Sequence, residues 1–321
     1  MKALTRSRYG GPELLAVSEE RTPVPTDAQV LVQVHFASLN PLDWHVLRGE
    51  PYLVRLMNGV RRPKSPLIGV DLAGTVVSVG PLVTEFSTGD EVFGSANGTL
   101  AQFVVTKSAN LVKIPTGTSL EACATLPCAG VTALQALRDV AKLSAGQKVL
   151  INGASGGVGT FAVQIAKSLG AEVTAVCSGA NIELVRSLGA DNVIDYTSED
   201  FTKSSVRFDV VLDAVGNRKL LALRRVTTPK GTVLLCAGAK GRWIKPMLLA
   251  MKGALTSPIV SQQLRPVMAK ITNERQSTLG DMLLSGAIVA TIDRSFALAD
   301  APSALAYLEE GHVRGKVIIA I

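Results

Sequence analysis

A glycine-rich turn constrains this chain more than any other feature. Asn152-Gly153-Ala154-Ser155-Gly156-Gly157-Val158-Gly159 joins the apolar run Lys148-Val-Leu-Ile151 to an amphipathic stretch that opens at Val158. A strand that turns on glycines into a helix brings bare backbone and free helix N–H groups to one point. A dinucleotide pyrophosphate needs both. The spacing is not strict GxGxxG, because Ala154 and Ser155 intervene. Its weight comes from its place between strand and helix.

The pattern repeats downstream. Residues 158–169 read as a helix closed by Gly170, residues 172–177 as the next strand, and residues 182–188 as a second helix closed by Gly189. Residues 193–196, 208–213 and 232–236 follow as strands. Short strands alternating with helices imply right-handed crossovers and a parallel sheet. The second strand ends in Cys177-Ser-Gly-Ala-Asn181, which holds no acid. NAD readers place Asp or Glu there against the ribose 2′-hydroxyl, so the expected cofactor is NADPH. Ser178 and Asn181 also suit a helix cap near Ile182.

The first 115 or so residues are different in character. Residues 30–35 alternate as a strand, and residues 69–79, 89–94 and 101–105 continue in kind among Gly and Pro turns, with no dominant helical period. Residues 120–140 and 276–287 read as helical. The closing strand, residues 316–320, resembles the N-terminal half. The expected fold class is α/β, with a Rossmann-type parallel-sheet domain inserted in a β-rich domain built from both ends. The expected bounds are 1–122, 123–267 and 268–321.

Composition narrows the function. A chain 47% hydrophobic and 18% charged is too apolar for disorder. At 4% aromatic it lacks stacking platforms for bases, so nucleic acid is not expected. Cys123, Cys128, Cys177 and Cys236 form no CxxC pair and read as small buried residues, which implies a reducing, cytoplasmic setting and no structural zinc. No signal-peptide core and no apolar run of about 20 residues occurs. The formal charge of +7 concerns anionic partners rather than fold.

Several motifs carry a family resemblance: Ser38-Leu-Asn40-Pro41-Leu-Asp43, Pro66-Leu-Ile-Gly69-Val-Asp71-Leu-Ala-Gly74, Gly130-Val-Thr132-Ala-Leu-Gln135, Ala154-Ser-Gly-Gly-Val-Gly159, Leu188-Gly-Ala-Asp-Asn-Val-Ile-Asp-Tyr196 and Gly311-His-Val-Arg-Gly-Lys316. The chain resembles the zinc-independent quinone oxidoreductase branch of the medium-chain dehydrogenase/reductase superfamily along nearly its full length. Asn40 stands where zinc enzymes carry a cysteine ligand, Asp71 stands in the region of their His-Glu pair, and their cysteine-rich lobe is missing. The resemblance implies a GroES-like catalytic domain. It puts Asn40 near the nicotinamide and substrate, and Thr132 on the carboxamide. Ser155, Gly156, Gly157, Val158 and Gly159 would hold the pyrophosphate. Ser178, Asn181 and Tyr196 would surround the adenosine end, and Lys316 would approach the cofactor. Many relatives carry Arg or Lys where Ala180 stands, and its absence removes a cation for the 2′-phosphate.

Without a Lewis-acid metal, an activated alkene or quinone is an easier acceptor than an alcohol is a donor. The expected reaction is therefore NADPH-dependent reduction of a small hydrophobic quinone or α,β-unsaturated carbonyl. Asn40, His45 and Tyr52 are the candidate donors to the developing oxyanion; Asp43 reads as structural. The alternative is an NADPH-binding sensor or membrane-associated assembly protein with little turnover. No acid occurs between Asp213 and Glu274, a stretch rich in Lys and Arg. Weak peripheral membrane contact there stays open beside a solvated face. Residues 243–260 are expected to cover the substrate cleft, and a homodimer is expected through the last parallel strands at a sheet edge, residues 232–236 with 258–260 as a further candidate.

Overall fold

The computed structural model describes residues 1–236 and 260–321. The stretch expected to cover the cleft therefore lies outside the described residues, except for Val260. The chain divides into two compact units, Met1–Val131 with Ile271–Ile321, and Thr132–Lys270.

The first unit is organised by the long strand Gln29–Leu39, whose alternating apolar residues Val30, Val32 and Val34 are buried. One edge pairs antiparallel with Asp71–Val79. The other edge is shared: its first half pairs with Phe103–Lys107, and its last residues pair with Lys316–Ala320. The sheet runs Ile292–Ala297, Lys316–Ala320, Gln29–Leu39, Asp71–Val79, Glu91–Ser95, Leu111–Lys113. The C-terminal strand thus completes the N-terminal sheet, as its character suggested. Val317 and Ile319 join Val30, Val32, Leu72 and Val76 in one core. Burial of each such side chain contributes about 1.5–3 kcal/mol.

Two helices interrupt the region expected to be β-rich with no dominant helical period. Pro41–Arg48 and Leu53–Asn58 are too short for a hydrophobic period to register. The first depends on its ends. Pro41 occupies the first turn, the Asp43 carboxylate accepts the Asn40 backbone N–H at 2.7 Å, and Gly49 closes it with φ 61°.

The second unit holds a six-stranded, wholly parallel sheet in the order Asn192–Asp195, Glu172–Cys177, Lys148–Asn152, Phe208–Asp213, Thr227–Leu235, Gln263–Pro266. This is the doubly wound 3-2-1-4-5-6 order. The Gly157–Ser168 and Ile182–Ser187 helices provide the first two crossovers. The edge strand is Gln263–Pro266, not residues 232–236, which lie one strand inward. Its single buried apolar residue, Leu264, flanked by exposed Gln263, Arg265 and Pro266, does not read as a strand from sequence.

Candidate active site

The Lys148–Asn152 strand lies at the point where chain order reverses, with Glu172–Cys177 on one side and Phe208–Asp213 on the other. The glycine-rich turn leaves its carboxyl end there, where open parallel sheets bind ligands. Gly153 takes φ 85°, and the Gly153 and Ala154 N–H groups donate to the Val176 carbonyl. A Cβ on Gly159 would lie 2.1 Å from the Gly153 oxygen, so helix and turn touch only because Gly159 has no side chain. A Cβ on Gly156 would meet only that oxygen, at 3.5 Å. Nothing among the described residues requires glycine at 156, and they leave the space beside it open to a ligand. Gly156 gives the helix no side-chain cap, leaving its first N–H groups for an anion.

Beside the turn, Asn181 Nδ2 donates to Ser155 Oγ at 3.1 Å and to Ser178 Oγ at 3.2 Å. Its Oδ1 is buried without a partner among the described residues. A buried, unmatched acceptor asks for a donor from outside, such as a hydroxyl or an exocyclic amine. Tyr196 is half exposed, and its N–H donates to the Cys177 carbonyl at 3.0 Å, which brings it to the end of the same strand. These features fit the diphosphate and adenosine part of a dinucleotide. Sequence reading overlooked one carboxylate here. Asp195 pairs in register with Cys177, and its Oδ2 would lie 2.7 Å from a Cβ on Gly179. Backbone and hydroxyl bonds from Thr197 lower its pKa from the ordinary carboxylate value. Thr132 is buried at the start of this unit.

The first unit contains a second constellation. The Lys316 ammonium donates to the Leu39 carbonyl at 2.9 Å and to Asn40 Oδ1 at 2.6 Å, and lies 3.5 Å from Asp71 Oδ2. Asp71 Oδ2 also accepts from Ser38 Oγ at 2.9 Å and Asn40 Nδ2 at 2.8 Å. Asn40 is thereby fully engaged: its second amide hydrogen faces the Ser38 carbonyl at 3.4 Å. Two carboxylates share this dry region with one ammonium, and Asp43 Oδ1 and Asp71 Oδ1 have no partner among the described residues. Burial pushes Asp43 up to about 7, with Asp71 adding repulsion, and burial likewise raises Asp71. The signals were available in the sequence. Asp71 interrupts an apolar strand, Lys316 opens another, and a buried charge must be paired.

Protonation of Asp43 has a consequence for stability. Its folded pKa stands above the unfolded value, so the folded state binds the extra proton between about pH 4 and pH 7. That contribution is complete below the unfolded pKa and is lost as pH rises through 7. Asp43→Asn, which keeps an acceptor for the Asn40 N–H, should flatten the decline in unfolding temperature from pH 5 to pH 8. Parallel declines in both proteins would contradict this.

His45 and Tyr52 are held by other partners. His45 Nδ1 lies 2.7 Å from the Glu50 carbonyl, so this nitrogen carries the proton, and the ring stacks on Trp44. Burial lowers its pKa. A neutral ring in this tautomer presents a lone pair at Nε2, so His45 is poorly suited to donate. Tyr52 precedes the Leu53–Asn58 helix under the Arg55 guanidinium. None of the four cysteines is in a disulfide among the described residues, and burial pushes Cys128 and Cys236 up to about 12, so neither is a ready nucleophile.

Comparison with known proteins places this geometry. Residues 26–116 match the alcohol dehydrogenase GroES-like domain, and residues 188–319 match the zinc-binding dehydrogenase family. The quinone oxidoreductase of Coxiella burnetii superposes with a TM-score of 0.90 at 30% identity, covering 100% of this chain and 99% of that one. The mitochondrial NAD(P)H oxidoreductase RTN4IP1 of Bos taurus is 32% identical over 100% of this chain and 89% of its own length. The chain belongs to the quinone oxidoreductase branch of the medium-chain dehydrogenase/reductase superfamily. The trans-enoyl reductase pgmF of Aspergillus terreus is 35% identical over 91% of this chain and 86% of its own. This member of the branch is accordingly an NAD(P)H-dependent oxidoreductase of the quinone reductase and enoyl reductase type.

The second family's name implies zinc, and the donor set does not fit it. Among the described residues no three His, Cys, Asp or Glu side chains converge as metal donors. Asp71 is already matched with the Lys316 ammonium, and Asn40 is a neutral amide spent on its neighbours. No helix among the described residues is long and apolar enough to cross a membrane.

Proposed function

We propose that this protein uses NADPH to reduce small hydrophobic quinones or α,β-unsaturated carbonyl compounds, without a metal. The observation that carries the reading is the glycine-rich turn at the switch point of the parallel sheet, open above Gly156 and flanked by the Ser155–Ser178–Asn181 group. Reduced nicotinamide, when bound, supplies a hydride. Backbone N–H groups at Gly157 to Gly159 would hold the diphosphate, and Ser178, Asn181 and Tyr196 the adenosine end. Thr132, Asn40 and Lys316 belong to the nicotinamide side in this reading. Asn40 then acts through the rigid Asp71–Lys316 network, because its own amide hydrogens are committed. His45 presents a lone pair and Lys316 has its hydrogens spent, which leaves Tyr52 or solvent to supply the proton that completes reduction.

The preference for NADPH should be modest. Ser178 removes the carboxylate that NAD readers use, but Ala180 offers no cation and Asp195 stands next to Gly179. We expect NADPH to bind about tenfold more tightly than NADH, roughly 1.4 kcal/mol. Ser178→Asp should reverse the order, and Asp195→Asn should widen it. A panel of benzoquinones, enones and aldehydes, run with both cofactors and with a chelator, tests the whole reading. Turnover of quinones or enones should survive chelation. Activity lost to chelator and restored by zinc removes the metal-free reading. Tight NADPH binding with no turnover on any acceptor points instead to a sensor. A homodimer joined edge to edge through the Gln263–Pro266 strand belongs to the same proposal; light scattering that gives only 33.7 kDa removes it.

A further inference from the structure

The first unit carries an exposed apolar face on the helix that follows Tyr52. Leu53, Leu56 and Met57 stand at i, i+3 and i+4 of the Leu53–Asn58 helix, and Val60 follows it. Leu56, Met57 and Val60 are 64%, 79% and 63% exposed. Single exposed leucines need no explanation, but four large apolar residues within one short stretch do.

The opposite side of the helix is fastened. The Arg55 guanidinium lies over the Tyr9 and Tyr52 rings, at 4.6 and 4.7 Å, and its Nε donates to the Gly49 carbonyl at 3.0 Å. Tyr9 OH donates to the Gly59 carbonyl at 2.6 Å, and the Lys64 N–H to the Asn58 carbonyl at 2.7 Å. The apolar face is therefore presented outward by a fixed scaffold. Its own stretch of chain carries charges of one sign. Arg61, Arg62 and Lys64 are exposed beside it, and no acid occurs from Pro51 to Val70.

We propose that this face, Leu53, Leu56, Met57 and Val60 with the Arg61–Arg62–Lys64 collar, docks the protein reversibly on an anionic lipid bilayer. Apolar side chains enter the boundary between headgroups and acyl chains, and the cations meet lipid phosphates in the same plane. This stretch has a charge pattern suited to a uniformly negative surface. The contact is peripheral and salt-sensitive, because one short helix carries too little apolar area to hold alone.

The test uses the full chain with vesicles of phosphatidylcholine alone, or with about 30% phosphatidylglycerol, sedimented at about 0.1 M and about 1 M salt. The unmodified protein should partition at least tenfold more strongly to the anionic vesicles at low salt. Arg61→Glu with Arg62→Glu should abolish that difference. Leu56→Glu with Met57→Glu should lower binding about tenfold, with unfolding temperature and NADPH affinity unchanged because both side chains are exposed. Failure of the unmodified protein to bind anionic vesicles overturns the proposal. So does binding that survives both pairs of substitutions. A doubled mass in light scattering that the Leu56→Glu, Met57→Glu variant reduces to a monomer would assign the face to a second copy instead, and also overturns it.

Discussion

Lys316→Met should lower the unfolding temperature by about 10 °C, the loss expected when about 3–5 kcal/mol leaves a unit of this size. Lys316 and Asp71 are both buried, at 2% and 0% side-chain exposure. The ammonium has three acceptors around it: the Leu39 carbonyl, Asn40 Oδ1 and Asp71 Oδ2. Methionine fills similar volume but leaves the Asp71 carboxylate in a dry site with only Ser38 and Asn40 donating to it. An unpaired buried charge costs far more than the pair contributes net. Lys316→Met combined with Asp71→Asn should therefore recover at least half of the loss, since neither charge is then stranded. A single variant that melts with the unmodified protein, or a double variant no better than the single, would show that the pair does not hold this corner of the fold. The same substitutions separate structure from catalysis. If Asn40 acts through this network, the double variant should stay depressed in kcat while its stability returns.

The glycine-rich turn gives the second large effect, and it divides between two neighbouring glycines. Gly159→Ala places a methyl 2.1 Å from the Gly153 oxygen and 2.7 Å from the Ala154 backbone, neither of which can rotate away. The helix must retreat from the turn, so both stability and cofactor affinity should fall, affinity by about a hundredfold or roughly 2.7 kcal/mol. Gly156→Ala meets only one atom, at an ordinary 3.5 Å, and its backbone suits any residue. Its unfolding temperature should stay unchanged, while the methyl enters the space that a diphosphate needs for close backbone approach. Calorimetric titration of NADPH into both variants, beside thermal unfolding, reads the two effects separately. Full NADPH affinity in Gly156→Ala would mean that the diphosphate is held elsewhere.

What the sequence determined by itself is the part of the structure that local physics encodes. A strand built on three consecutive apolar residues, a glycine turn with positive φ at Gly153, and a helix closed at Gly170 are each written within a few consecutive residues. Their repetition was enough for a parallel sheet, and the apolar run of residues 316–320 was enough to return the chain's end to the first sheet. The short helices after Asn40 and Tyr52 escaped because caps and tertiary support, not periodicity, sustain them. The Gln263–Pro266 edge strand escaped because an edge needs only one buried side chain to be held. Only the tertiary structure decided the electrostatics. Asp71 and Lys316 meet because two distant strands flank Gln29–Leu39, and Asp195 reaches Gly179 because two strands pair in one register. Whether a charge is paired, stranded or turned against a ligand depends on which strands become neighbours. That is a property of sheet order and register, which no short window of residues contains.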